Sequence, residues 1–157
     1  MLAIDPGTTH SGLCSISRNK LTAIDVSNET VLQYLRKLSS ACGLVVIEEF
    51  AGQGLPVGAS TFEACMWAGR FQQVALDGGA DVLMVKRKTI VRYFTGGARG
   101  GDSKLRAALI GKYGGKGSTA LPGPFNGVSG TDAWSAAALA IFGYEQTSKE
   151  EWRNNEH

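Results

Sequence analysis

The run GLVVIEEF at residues 43–50 constrains the fold more than any other stretch of the chain. Four large apolar residues in succession, without polar alternation, describe a strand covered on both faces, and that occurs where helices flank a parallel sheet. The chain is therefore read as α/β. Residues 2–5 form a short apolar strand ending in Asp5, and residues 12–17 and 21–26 supply two more strands joined at the polar turn 18–20. A helix begins at Asn28, with Val31, Leu32, Leu35 and Leu38 on one face, and ends at Gly43. A three-stranded meander is thus followed by a crossover helix and a parallel strand. A long helix is predicted over 60–77, a fifth strand over 80–85 and a short helix over 87–95. After the glycine-rich link 96–101, Asp102 or Ser103 caps a helix reaching residue 113. A turn-rich connection leads to a final apolar helix opened by Thr131 or Asp132.

The chain has 157 residues, of which 43% are apolar, enough for one domain with a sizeable core. Residues 1–146 are read as that domain and 147–157 as a polar tail. No run approaches the roughly 18 apolar residues of a membrane span, and the first strand begins at residue 2, so a cytoplasmic protein is expected. Cys14, Cys42 and Cys65 are odd in number and far apart, without CxxC spacing, and are read as buried thiols. The net charge of +2 conceals an asymmetry. Residues 86–116 hold nine of the sixteen basic side chains against one acid, Asp102, a distribution suited to a polyanion.

Asp5 and Glu48 both end apolar strands. In open α/β sheets the carboxyl ends of parallel strands share one edge, where ligand sites form. Asp132, in the first turn of the last helix, reaches that edge if the helix packs across the sheet. Three carboxylates there suit magnesium or manganese, which prefer oxygen ligands. Two of the three acids also have a plainer reading. Asp132 is a good N-cap and Asp5 before Pro-Gly a good turn residue, whereas Glu48 is costly to bury without a partner.

The segments LAIDPGTTHSGLCSI, VVIEEF, TGGARGGDSK and DAWSAAALAI, in this order, resemble the RuvC family of Holliday-junction resolvases, especially its shorter phage-type members. The resemblance implies a ribonuclease H-like fold with a five-stranded mixed sheet of order 3-2-1-4-5. It further implies a homodimer that cuts branched DNA, chiefly four-way junctions, with two magnesium or manganese ions per site and no organic cofactor. By this resemblance Asp5, Glu48 and Asp132 are catalytic metal ligands. Where the family carries a further acid on the last helix, this chain has Ser135. The missing ligand is then Ser135 through its hydroxyl or a water, or Glu49 or Asp102. Lys104 resembles the basic residue ending the family's glycine-rich segment and is placed near the scissile phosphate. Lys88, Arg92 and Arg99 are further DNA-binding candidates. Phe50 either stacks on bases at the branch point or packs in the core. The helix over 60–77, with Ala64, Ala68, Gly69 and Ala75, is read as a dimer surface.

Three rival functions are compatible with parts of the sequence. IDPGTTHSG also resembles the phosphate loop of the actin and sugar-kinase superfamily, although the chain has length for only one of the two lobes. A related nuclease family processes ribosomal RNA precursors. A non-catalytic DNA-binding module is disfavoured by three carboxylates, which repel phosphate.

Overall fold

In the computed structural model, which describes residues 1–18, 20–51, 56–97 and 100–154, with side chains except those at 39, 42 and 148–154, the apolar run forms β4 (Leu44–Glu49). It lies between two parallel neighbours, β1 (Leu2–Asp5) and β5 (Asp81–Lys86). Val45, Val46 and Ile47 are wholly buried, as burial on both faces requires. The meander continues from β1 into β2 (His10–Ser17) and β3 (Lys20–Ser27), both pairings antiparallel.

Six strands form the sheet, in the order β5-β4-β1-β2-β3-β6. The five-stranded expectation is corrected by β6 (Gly127–Ser129), which pairs parallel to β3 and extends the order on that side. Its three residues lie inside the turn-rich connection and carry no apolar run, so nothing local announces a strand.

Helices cover both faces. The first, α1 (Asn28–Cys42), begins where Ser27 accepts a hydrogen bond from the Thr30 backbone, and it packs beside α2 (Ala59–Asp77). Val31, Leu32 and Leu35 of α1 join Phe71 and Ala75 of α2 over Leu2, Ile4, Val45 and Ile47. The small residues assigned to a dimer surface are mostly turned inward. Ala64, Ala68 and Ala75 are buried within the fold, while the outer face of α2 shows Phe62 and Met66. Cys65, expected to be buried, is exposed on the same helix; Cys14 is buried, and the Cys42 side chain lies outside the described residues.

The opposite face carries α3 (Arg87–Thr95), α4 (Asp102–Tyr113) and α5 (Thr131–Asn154). The final helix continues past Tyr144 to Asn154, into the segment read as a tail. Its alanines 133, 136, 137, 138 and 140 are wholly buried, which lets its backbone lie close to β1, β2 and β3. A Cβ on Gly143 would come within 2.6 Å of Val46 Cγ2, a measure of that closeness. Glu145 ties the three helices together. Its carboxylate accepts from the Tyr93 and Tyr113 hydroxyls and pairs with Lys112 at 3.2 Å.

Candidate active site

Strand alternation decides which acids can meet. The β1–β4 register runs Leu2↔Val45, Ala3↔Val46, Ile4↔Ile47, so Asp5 and Glu48 are the next residues on adjacent parallel strands. Each lies two residues beyond a member of the α5-side core, Ala3 or Val46, and therefore shares that face. Glu49 falls on the other face, above α1 and α2. Asp132 arrives from the last helix. Asp5 pairs across the sheet with Gly12, and the α5 first turn sits directly over that glycine, where a Cβ would fall 2.2 Å from the Asp132 carbonyl oxygen.

The turn leaving β1 is held from within. Asn28, buried at the start of α1, donates from Nδ2 to the carbonyls of Gly7 and Thr8, both at 3.1 Å. Ser11 donates to Asn28 Oδ1 at 2.6 Å and accepts from the Gly7 N–H at 3.1 Å. This network fixes the direction in which Asp5 leaves the strand. It also engages the Gly7 amide, one of the donors that a phosphate loop of the kinase type would need.

Arg87, the first residue of α3, enters the site directly after β5. Its Nη1 donates to Ser135 Oγ at 2.7 Å and lies 3.4 Å from Glu48 Oε2, and its Nη2 donates to Asp102. The Ser135 side chain also lies close enough to Asp5 to favour its ionised form. Ser135 thus holds the guanidinium beside Asp5. Asp102 is not the helix cap expected of it: Gly101 holds the N-cap position, without a side-chain cap, and the Asp102 carboxylate turns to Arg87.

The electrostatics are those of crowded acids short of positive charge. Burial, followed by the charges of Glu48 and Asp132, pushes Asp5 up from 3.8 to about 8, against the opposing pull of Arg87 and Ser135. Glu48 is raised by burial despite Arg87, with Asp102 and Asp132 adding to the effect. Asp132 is raised by burial, then by Asp25 and Asp102. Asp25 belongs to the site's rim because β3 pairs it with Gly12, and its carboxylate lies against Gly130 just ahead of α5.

Buried oxygen donors that repel one another are the chemistry a hard divalent ion satisfies, and Asp5, Glu48 and Asp132 would be its ligands. As placed, no three His, Cys, Asp or Glu side chains among the described residues close around one point as ligands would. The cation reaching into the acids is Arg87. In the sequence Arg87 stood out only as part of the basic segment, and Asp25 not at all. The rule that located Glu48 applies equally to Arg87, because β5 is parallel to β4 and ends at the same edge.

The basic segment divides into two sets. Arg87 is in the site, Arg106 stacks 4.6 Å over the Trp134 ring, and Lys112 is paired with Glu145. Among the described residues, Lys86, Lys88, Arg92, Lys104 and Lys116 are exposed and make no ion pair. Lys104 stands two residues beyond Asp102 in the first turn of α4. Arg99 lies outside the described residues. Phe50, half-buried directly after β4, belongs to neither core cluster.

This architecture is shared with solved structures. Thermus thermophilus RuvC superposes with a TM-score of 0.61 at 17% identity, covering 90% of this chain and 92% of that one. T. thermophilus RuvC in complex with a Holliday junction substrate gives a TM-score of 0.58 at 19% identity, covering 90% and 91%. No protein-family model and no curated protein matches the sequence. The likeness establishes a RuvC-like fold. Among the described residues, no helix is long and apolar enough to cross a membrane.

Proposed function

We propose that this chain is a divalent-metal-dependent endonuclease that cuts branched DNA, chiefly four-way junctions, in the manner of a phage-type RuvC resolvase. The observation that supports the reading is that Asp5, Glu48 and the first turn of α5 with Asp132 come to one sheet edge of a RuvC-like fold, with a basic helix pair beside them. A magnesium or manganese ion held there would supply Lewis acidity for phosphodiester hydrolysis.

The chain's own residues do the rest. Asp5, Glu48 and Asp132 would provide the oxygen ligands, and Gly12 lets the first turn of α5, which carries Asp132, lie against β2. Lys104, with Lys88 and Arg92, presents exposed positive charge to the phosphate backbone, which positions the substrate without reading its bases. Phe50 stands at the end of β4 as the candidate for stacking at the branch point. The protein acts as a homodimer, so that two such sites address the two symmetric strands of a junction.

The test is to incubate the protein with four-way, forked and linear duplex DNA, with and without magnesium or manganese. Paired nicks on the junction that require metal are expected and should disappear in Asp5→Asn. Cutting of structured RNA in place of DNA would favour the RNA-processing relatives, and no cutting of either would overturn the nuclease reading.

A further inference from the structure

The position at which a second metal ligand was expected is already engaged. Ser135 is 6% exposed, and its hydroxyl accepts from Arg87 Nη1 at 2.7 Å. A second ion beside it would face a guanidinium that donates to Ser135 and approaches Glu48 at 3.4 Å. An arginine is protonated at every pH at which a protein stays folded, so this positive charge is permanent.

We propose that Arg87 takes the place of the second metal ion, so that the site works with one divalent cation and one guanidinium. This rests on the nuclease reading above. Glu48 and Ser135 fix Nη1 from two sides, and α3 anchors the residue at the end of β5. Nη2 faces outward to Asp102, whose side chain is 63% exposed. A phosphate entering the site competes with Asp102 for that donor, and the planar guanidinium then accepts the charge that develops on a phosphoryl oxygen. Releasing Asp102 also connects substrate arrival to the first turn of α4, which carries Lys104. Serine at 135 is the matching change, because a carboxylate there would bind the guanidinium and hold it away from phosphate.

The test counts manganese bound to the full-length protein in the absence of DNA, by calorimetric titration and by the spin-resonance signal of free manganese. The parent, Arg87→Gln, Arg87→Lys and Asp5→Asn are compared, together with single-turnover cleavage of a four-way junction. One ion per chain is expected in the parent, with binding weakened in Asp5→Asn. Removing the competing cation in Arg87→Gln should tighten manganese binding about tenfold. The same variant should cut about 100-fold more slowly, with partial recovery in Arg87→Lys. Two ions per chain in the parent, weakened metal binding in Arg87→Gln, or an unchanged rate in that variant would each overturn the proposal. Because the ions are counted without DNA, a parent that cuts no branched substrate defeats the nuclease reading, while the ion count and affinities still judge Arg87.

Discussion

The Asp132 carbonyl oxygen lies 2.2 Å from the point a Cβ on Gly12 would occupy. A residue in the middle of β2 is thereby required to have no side chain, because the helix delivering the third acid rests on it. Gly12→Ala should force α5 outward and cost about 3 kcal/mol, the upper end of ordinary overpacking, with loss of cleavage. Gly111→Ala has open space around it in α4 and should gain about 0.5–1 kcal/mol from helix propensity alone. Denaturant unfolding of both variants checks the opposite signs, and equal effects would refute the packing argument.

Crowding of the acids predicts how stability depends on pH. The Asp5 carboxyl is held at about 8 in the folded chain against 3.8 ordinarily, so the folded state keeps a proton that the unfolded state releases. Its contribution is fully present below pH 3.8 and is lost as pH rises through 8; Glu48 and Asp132 are shifted in the same direction. The melting temperature of the metal-free protein should therefore decline across this window. Asp5→Asn should flatten that decline and raise the melting temperature at pH 8. Manganese should stabilise the parent more at pH 8 than at pH 5. A parent and an Asp5→Asn variant with superimposable pH profiles would contradict this.

Asp5→Asn, Glu48→Gln and Asp132→Asn should each reduce junction cutting to background while leaving junction binding equal or tighter. Every substitution removes a proposed metal ligand together with a carboxylate that, once ionised, repels phosphate. Gel-shift titrations beside single-turnover assays separate the two effects. Near-parental turnover in any one variant would remove that residue from the ligand set.

The basic segment should divide as its side chains are partnered. Lys104→Ala and Lys116→Ala should each reduce the salt dependence of junction binding by about one unit of slope for every phosphate left without its lysine. Only Lys104→Ala should also slow cleavage, since it stands in the turn that holds Asp102. Arg106→Ala should instead lose about 0.5–1 kcal/mol of folding stability, because the guanidinium no longer covers the Trp134 ring, with DNA affinity nearly unchanged. Equal kinetic effects of the two lysines would reduce Lys104 to general electrostatics.

The frame of the molecule was legible from local pattern. Residues 44–47 fit a strand buried on both faces, since the apolar run is short, rich in β-branched residues and bounded by Gly43 and the acids 48 and 49, and a crossover connection then put Glu48 on the same edge as Asp5. The meander, the crossover helix and the apolar last helix were readable for the same reason: their signals are periodic and local. Features that depend on partners remote in the chain came from packing instead. β6 exists because β3 offers an unpaired edge to residues 127–129, and Cys65 is exposed because Ala64 and Ala68 turn to the core in its place. Asp102 gave up the cap position for an arginine 15 residues away. That arginine meets Glu48 across 39 residues and Ser135 across 48, distances over which periodicity carries no information and only the packing of α3 and α5 on one sheet face brings charges together.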